Sequence, residues 1–324
     1  MKLLRILLST FLAGGLTLLG GAAAHAQAYP NKPITIIVPF GPGSATDTVA
    51  RVIAQPLGVA LNQSIVVENR PGANGALAAL FVARAAPDGY TLFLSTNSPH
   101  SAAPYLMKTV AYDVEKDFMA VSRVGSYTLM LVTHPSVPAK SVKELIAYAK
   151  ANPGKLSYAS GNTSGVVAGA TLAHWAKIDL LHVPYKSAPQ AIQDLLAGRV
   201  SMAFNDFTTA IPHVRAKTLN ALAVTRIQRS SLFPELPTMD EAGVTGFDMD
   251  SWAGMFAPAK TPPEIVTRLN TELRKIIDSA EVKSRLRNVG FEAFSSSPKE
   301  MDDFVKAQLA KWGKMIKDAG IKPE

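Results

Sequence analysis

The chain has no cysteine among its 324 residues. Disulfide bonds, thiolate catalysis, Cys-ligated metals and a lipid anchor on an N-terminal cysteine are therefore excluded. The fold must be held together by an ordinary apolar core, and a hydrophobic content of 48% is enough to build one. A chain of this length fits two domains of ordinary size.

Local signatures of enzymes and of metal sites are also missing. The sequence contains no G-x-S-x-G elbow, no Walker A motif and no G-x-G-x-x-G loop. No two histidines lie at a zinc-binding spacing such as H-x-x-x-H, and we expect neither a metal nor a cofactor. A Ser/His/Asp site assembled in space is left open, although no local motif asks for one.

Long runs of one charge are absent too. The formal net charge is +8 at pH 7, but the Lys and Arg residues are dispersed along the chain. The sequence therefore predicts no nucleic-acid partner. The modest positive field is compatible with an anionic ligand, and a requirement for solubility explains it equally well.

A long apolar segment lies at the N-terminus and is typical of a secretory signal. Lys2 and Arg5 precede an apolar stretch at residues 6–19, and residues 24–26 (Ala-His-Ala) form a small-x-small cleavage site. We expect a signal peptide at residues 1–26, cleavage after Ala26 and an exported protein. An uncleaved membrane anchor is the alternative, but the apolar stretch is short and rich in glycine.

One stretch near the start of the mature chain combines a strand, a sharp turn and a helix. Ile34–Val38 is an apolar, β-branched run typical of a buried strand, and residues 39–43 (Pro-Phe-Gly-Pro-Gly) end it. From Ser44 onward, apolar residues recur at helical spacing. The first N–H groups of that helix would face the space past the strand, where α/β proteins bind ligands. The alternative is an ordinary capped turn, with Ser44 as N-cap and Asp47 three residues on.

The rest of the chain alternates between predicted strands and helices, as in α/β proteins. We expect Pro56 to kink the first helix or end it early. Further strands are predicted at residues 64–68, 91–94, 155–159, 180–183, 200–204, 221–225 and 291–294, and further helices at 76–86, 141–151, up to about 177, at 191–196, from 261 and at 298–319.

Two long apolar stretches are expected to cross between domains. One is residues 118–132, interrupted at Gly125-Ser126, and the other is residues 247–257. Because repeated βα units demand parallel pairing, the whole is predicted to be an α/β protein of two lobes around a cleft. In this prediction domain 1 comprises residues 27–125 and 252–324, and domain 2 comprises residues 126–251.

The ends of several predicted strands are rich in glycine, hydroxyl and amide residues that would line the cleft. Backbone N–H groups and hydroxyls bind carboxylates without any arginine. A dicarboxylate held between helix starts of both lobes would favour the closed arrangement, because its full contacts exist only there. Such a site binds its ligand without converting it.

Nine motifs, in order along the mature chain, resemble those of one known family. They are Tyr29-Pro-Asn-Lys-Pro-Ile34, Val38-Pro-Phe-Gly-Pro-Gly43 with Asp47, Val67-Glu-Asn-Arg-Pro-Gly72, Ala86-Pro-Asp-Gly-Tyr-Thr91, Lys140-Ser-Val-Lys-Glu-Leu145, His182-Val-Pro-Tyr-Lys186, Ala221-Leu-Ala-Val-Thr225, Leu236-Pro-Thr238 with Glu241-Ala-Gly243, and Ser251-Trp252 with Phe256-Ala-Pro258. The whole mature chain resembles the substrate-binding proteins of the tripartite tricarboxylate transporter family, often called Bug receptors.

The resemblance implies a periplasmic protein of the type II, Venus-flytrap periplasmic-binding-protein fold. Such a protein captures a small organic acid anion, a carboxylate or dicarboxylate, and delivers it to membrane permease subunits of a tripartite tricarboxylate transporter. We expect a monomer without catalytic residues. Two alternatives are kept: an exported hydrolase or isomerase that uses the same cleft, and a sensory receptor subunit.

The resemblance also implies which residues hold the ligand. One carboxylate would be held by the loop before the first helix and by a second loop at residues 160–165, partly through ordered water, and three further strand ends complete the cleft. The implied ligand residues are Phe40, Gly41, Gly43, Ser44, Asp47, Thr96, Asn97, Ser98, Ser160, Gly161, Thr163, Ser164, Gly165, Tyr185, Lys186, Asn205 and Asp206.

Three positions depart from the family pattern, and all lie in the implied ligand loops. Ser44 stands where a second glycine is usual, Val166-Val167 where a Ser/His-containing helix start is usual, and Ser187 directly follows Lys186. The two valines predict a more apolar pocket, for an aromatic or longer-chain acid. Asp206 would repel a carboxylate unless it contacts an amine or water, so a contact there would favour an amino acid.

Overall fold

The computed structural model describes residues 29–323, and the predicted signal peptide lies outside them. Residues 32–324 form one unit, distinct from residues 1–31, and the fold below is that of the larger unit. No helix in the described part of the chain is long and apolar enough to cross a membrane.

Strands and helices alternate over most of this unit, as the sequence predicts. The strands are β1 (Ile34–Val38), β2 (Ile65–Asn69), β3 (Thr91–Thr96), β4 (Phe118–Tyr127), β5 (Leu129–Thr133), β6 (Leu156–Ser160), β7 (Leu180–Pro184), β8 (Met202–Asp206), β9 (Asn220–Val224), β10 (Ser251–Pro258) and β11 (Phe291–Ala293). The helices are α1 (Ala45–Leu61), α2 (Ala76–Ala83), α3 (Ala103–Leu106), α4 (Val142–Ala151), α5 (Thr163–Ala176), α6 (Ala188–Leu196), α7 (Phe207–Arg215), α8 (Pro263–Ile277), α9 (Ala280–Asn288) and α10 (Pro298–Asp318).

The strands form two separate sheets, one in each lobe. The order is β11-β4-β10-β3-β1-β2 in the first sheet and β7-β6-β8-β5-β9 in the second. In each sheet three neighbouring strands pair in parallel: β2, β1 and β3 in the first, and β7, β6 and β8 in the second. Parallel strands end at the same edge, so the loops that follow them gather at one end of each sheet.

The remaining pairs are antiparallel. β4, β10 and β11 add to the first sheet in this way, and β5 and β9 add to the second. The βα pattern governs only strands linked through a crossover helix. β4 and β5 are joined instead by a single residue that passes from one sheet to the other.

Residues 118–132 therefore form two strands rather than one. They separate at Thr128, and the predicted interruption at Gly125-Ser126 is wrong, because both residues remain paired with β10. Glycine is required at position 125 because the backbone of β11 approaches it closely. Gly125 has φ +150°, and a Cβ there would lie 2.1 Å from the carbonyl oxygen of Glu292 in β11.

The first helix starts where the sequence predicts but does not stop early. α1 continues through Pro56 to Leu61 and ends at Asn62, which has a left-handed φ of +51°. A helix-interior proline removes one backbone hydrogen bond. The buried side chains of Ile53, Leu57 and Leu61 on either side of it hold the helix against the lobe, so the pattern of burial outweighs that loss.

The C-terminal helix α10 packs against the cores of both lobes. Met301 and Val305, in its first half, are buried in the same cluster as Trp252 beside the first sheet. Trp312 and Ile316, in its second half, belong to the core that covers the second sheet. Each large apolar side chain buried in this way stabilises the fold by about 1.5–3 kcal/mol.

Candidate functional site

The loop between β1 and α1 is closed by two side-chain bonds of its own helix. Ser44 is the N-cap, and its hydroxyl accepts a hydrogen bond of 3.3 Å from the N–H of Asp47. The Asp47 carboxylate in turn accepts a bond of 3.0 Å from the N–H of Gly43. Gly43 has φ +78°, a value that favours glycine. The predicted capped turn is confirmed.

Asp47 holds this loop from behind. Arg51 forms an ion pair of 2.9 Å with its carboxylate, and the Asn69 amide donates to it at 2.9 Å and to the Phe40 carbonyl at 2.8 Å. Burial alone would raise the pKa of Asp47, but the bonds from Arg51, Gly43 and Asn69 outweigh it and hold the pKa below its usual value. The carboxylate is thus occupied by the protein and scaffolds the loop.

The loop between β6 and α5 has the corresponding place in the second lobe. Asn162 is the N-cap, and its side-chain oxygen accepts from the N–H of Gly165 at 2.9 Å. A Cβ on Gly161 would lie 2.2 Å from the backbone nitrogen of Ala188, so only glycine fits where α6 begins. The first turns of α5 and α6 therefore lie side by side, with the N–H groups of both helix starts close together.

The start of α6 reaches across to the first lobe. Ser187 occupies its N-cap position but makes no side-chain bond to its own helix. The Ser187 hydroxyl instead accepts a hydrogen bond of 3.2 Å from the N–H of Gly41, in the loop after β1. This contact joins the two lobes at the predicted cleft.

Tyr185 and Lys186, in the same turn, have other surroundings than those predicted. The Tyr185 hydroxyl donates a hydrogen bond of 2.7 Å to the carboxylate of Asp194, in α6. Lys186 is exposed and forms no ion pair within the described residues. Their assignment as ligand residues stays a prediction, whereas Ser187, their neighbour, lies between the lobes.

A second contact between the lobes lies beyond β3. The Asn97 amide donates to the Ser164 hydroxyl at 3.0 Å, and the hydroxyls of Ser98 and Thr163 are 2.7 Å apart. Asn97 is completely buried and also accepts a hydrogen bond from Ser251. The end of β3 and the start of α5 are therefore in direct contact, and the lobes lie in a closed arrangement.

Asn205 and Asp206, at the end of β8, are buried polar residues beside this contact. The Asp206 carboxylate accepts a bond of 3.1 Å from the Asn162 amide. Burial raises its pKa to about 6, although that bond acts in the opposite direction. The Asn205 amide nitrogen is buried without a hydrogen-bond partner among the described residues. Both side chains therefore have hydrogen-bonding capacity that the protein does not use at this contact.

The structure thus brings most of the predicted loops close together, but several of their side chains bond to the protein itself. Phe40, Gly41, Gly43, Ser44 and the loops around Thr96 and Ser160 all lie where the parallel strands of the two sheets end. Val167 is fully buried in the core of the second lobe, so only Val166 can affect a pocket as the valine pair was predicted to do.

Sequence reasoning missed three residues that organise these loops, Arg51, Asn69 and Asn162, and it placed Ser187 in a ligand loop without its bond to Gly41. Asn162 could have been found, since it stands at the N-cap position before a predicted helix. The bonds of Asn69 and of Ser187 span 29 and 146 residues, and no local pattern signals them.

The arrangement suits an anion that carries carboxylate groups. The N-terminal ends of α1, α5 and α6 meet between the lobes with hydroxyls around them, and helix starts bind anions through free N–H groups and the helix dipole. Within residues 29–323, no group of three or more His, Asp or Glu side chains is placed to hold a metal ion.

The chain is similar to known proteins over most of its length. Residues 49–321 match the sequence model of the tripartite tricarboxylate transporter family receptor. The Rpa4515 protein of R. palustris, solved with adipate, is 35% identical with a TM-score of 0.89, and the match covers 91% of this chain and 100% of that one.

Two further solved structures are similar. The periplasmic binding protein BugD is 32% identical with a TM-score of 0.88, over 91% of this chain and 100% of that one. MatC of Rhodopseudomonas palustris, with bound malate, is 32% identical with a TM-score of 0.84, over 89% of this chain and 100% of that one. The bilobal periplasmic-binding-protein fold expected from the sequence is confirmed.

Proposed function

This chain belongs to the family of tripartite tricarboxylate transporter receptors, and from that premise we propose that it captures a small dicarboxylate anion between its lobes. The observation that carries the proposal is the meeting of three helix N-termini from two lobes, joined by the bond from Gly41 to Ser187. A ligand with two carboxylates can reach helix starts on both sides.

The chemistry of the loops supports an acid anion rather than a neutral solute. Backbone N–H groups and hydroxyls are donors that suit carboxylate oxygens, and the hydroxyls of Ser98, Thr163 and Ser164 lie at the contact between the lobes. Such donors bind a carboxylate without a cation, and the guanidinium of Arg51 beside the first loop is already engaged with Asp47. Adipate and malate, named with two of the similar structures, belong to this chemical class.

We further propose that the closed, loaded form acts in the periplasm and presents the acid to the permease subunits of a tripartite tricarboxylate transporter. Closure matters for such a partner because the ligand's contacts to both lobes exist only when the lobes meet. The 17 ligand residues assigned from the sequence, and a monomeric state, are part of the same proposal.

The experiment is a thermal-shift screen followed by calorimetry, with the mature protein. The panel holds dicarboxylates of four to six carbons, malate, aromatic acids, amino acids and acetate as a single-carboxylate control. We expect a dicarboxylate to raise the melting temperature and bind at one site, and acetate to have no effect. A panel without any binding acid would contradict the proposal.

A second candidate, an exported hydrolase, has one observation in its favour. The Ser160 hydroxyl lies 2.7 Å from Nε2 of His182, the distance of a nucleophile and its base. Ser160 is buried, and His182 stacks on Tyr158 with ring centroids 4.7 Å apart, which suits a packed strand pair. Prolonged incubation of the bound acid decides: we expect it to be recovered unchanged, and conversion that Ser160→Ala abolishes would establish the enzyme.

A further inference from the structure

A second concave site lies at the lobe boundary, to one side of the candidate cleft. It is a cavity of about 490 Å³ between the chain that follows β9 and the elements α9 and β11. β11 lies at one end of the first sheet, whereas β3 and β1, which lead into the candidate cleft, lie on the far side of β4 and β10. None of the predicted ligand residues lines the cavity, although Phe207 directly follows Asp206, and we call the cavity the basic groove.

The basic groove is lined by four cationic side chains and one carboxylate. Arg226 and Arg229 come from the chain after β9, Lys283 and Arg287 from α9, and Glu292 from β11. The groove thus draws its charges from both lobes. Positive charges gathered in a concave site raise the local concentration of anions.

Three of these cations already share carboxylates. Arg226 pairs with Glu292 at 2.8 Å, Arg229 with Glu241 at 2.8 Å, and Lys283 with Asp278 at 3.3 Å. The Arg226 pair joins the two lobes, and both of its side chains are exposed. Exposed pairs of this kind stabilise a protein little, so an incoming anion can replace or share the carboxylate at low cost.

Arg287 has no such partner. No carboxylate lies within 4.0 Å of it among the described residues, although it is one of the groove-lining cations. Its neighbour on the same helix, Arg285, is paired with Glu281 and does not line the groove. A guanidinium is a preferred partner of carboxylate and phosphate because its donors match two oxygens at once.

The rest of the lining suits a small polar anion. Gln228, Ser230 and Ser231 add an amide and two hydroxyls, and Phe207 and Phe291 supply apolar wall. The volume falls within the roughly 300–1,000 Å³ that is typical of small-molecule sites. A large polyanion would not be enclosed by a cavity of this size.

We propose that the basic groove binds a small multivalent oxyanion, a phosphate or a polycarboxylate, through Arg226 and Arg287. This site is separate from the cleft and does not depend on the function proposed for it. Since its two main cations come from different lobes, its occupant contacts the molecule on both sides of the lobe boundary and stabilises this arrangement of the lobes.

The test is calorimetric titration of the mature protein with inorganic phosphate and, separately, with citrate, at constant ionic strength. Arg287→Gln and Arg226→Gln are the groove variants, and Arg285→Gln is the matched control on the same helix. We expect each groove variant to bind about tenfold or more weakly, since a charge-assisted hydrogen bond is lost, and the control to bind as the wild type does.

The two probes separate the sources of the anion. Phosphate binding that Arg287→Gln weakens would assign the groove to phosphate, and citrate binding that the same variant weakens would assign it to a polycarboxylate. Equal affinity of Arg287→Gln and wild type for both probes would overturn the proposal, as would a wild-type protein that binds neither. Because the cleft ligand is measured separately on the same variants, loss of groove binding with an unchanged cleft ligand distinguishes this site from the function proposed above.

Discussion

The two loops that face each other across the lobe boundary differ in whether their buried carboxylate is paired with a cation. In the first lobe the Asp47 carboxylate ties Gly43, Arg51 and Asn69 together, and its charge is compensated by a guanidinium. In the second lobe the Asn162 amide caps α5 and donates to the buried carboxylate of Asp206, which is paired with no cation among the described residues. The first loop is therefore pre-formed, whereas the second carries an uncompensated charge.

This difference suggests a division of labour. The bonds of Ser44, Asp47 and Asn69 that shape the first loop lie within one lobe and hold it whether or not a ligand is present, whereas the bond from Gly41 to Ser187 reaches the other lobe. We expect pH and ligand binding to affect the second loop more, because the protonation of the buried Asp206 carboxylate responds to both. Substitutions in each loop test this difference.

Gly161→Val should have the largest effect. The new side chain would meet backbone atoms of Ser187 and Ala188, which cannot move without displacing α6. We expect a loss of about 2–3 kcal/mol or more in the free energy of unfolding, together with loss of ligand binding. Urea denaturation and calorimetry measure the two.

The matched control lies in the first loop. A Cβ on Gly41 meets only the Ser187 side chain, at 3.4 Å, which is ordinary contact. Gly41→Ala should therefore keep its stability within about 0.5 kcal/mol of the wild type. Equal losses in the two variants would mean that the second loop is no more tightly constrained than the first.

Asp206 should make stability depend on pH. Its folded pKa of about 6 lies above the usual 3.8, so the folded state holds a proton between these values that the unfolded state releases. Its contribution to stability is full below about pH 4 and is lost as pH rises through 6, by up to about 3 kcal/mol. Asp206→Asn should flatten this part of the curve.

Urea midpoints at pH 4.5 and pH 7.5 measure the effect, with Asp47→Asn as the comparison. The pKa of Asp47 is lowered, so its contribution is present above pH 4 and is lost only as pH falls further. We expect the slope between the two pH values to persist in Asp47→Asn. A slope that survives in Asp206→Asn would refute the assignment.

Asp47→Ala should destabilise the first loop at neutral pH. It leaves the Gly43 N–H without its acceptor, removes one of the two bonds of the Asn69 amide and frees Arg51. We expect about 2 kcal/mol lower stability, a folded protein and weaker ligand binding. Circular dichroism with urea and a thermal shift with the identified acid check these outcomes, and an unchanged affinity would place the ligand away from this loop.

The smallest effects are expected for two serines at equivalent helix starts, which should differ in whether stability or ligand affinity is lowered. Ser44 caps its own helix, whereas Ser187 accepts from Gly41 in the other lobe. Ser44→Ala should therefore cost about 1 kcal/mol of stability. Ser187→Ala should change stability less and lower ligand affinity several-fold, because it removes a bond made only when the lobes meet. Titrations and urea curves on both variants compare them, and a reversed pattern would exclude this account.

Local patterns predicted much of the fold, because short segments of sequence determine where strands end and helices begin. β1 was predicted to the residue, and Ser44 and Ser141 cap the helices they precede. The helix α7 was missed because Pro212 stands in its interior, where proline argues against a helix. The break at Thr128 was misplaced because a glycine that permits close packing resembles one that ends a strand.

The candidate site was anticipated by position but not by contact. Which strand ends face each other depends on sheet order, and bonds such as that of Gly41 with Ser187 depend on how the lobes meet. The proposed domain limits are a further case. The amphipathic pattern of α10 predicts a helix with one buried face, but it does not indicate that successive turns enter different cores.

That helix has a consequence for how the molecule melts. Because Met301 and Trp312 lie on one continuous helix and in two different cores, neither lobe can lose its packing without exposing part of the other's. The lobes should accordingly unfold as one cooperative unit, with a calorimetric enthalpy equal to the van't Hoff enthalpy despite the two sheets. A truncation after residue 308 would uncouple them and split the single transition into two.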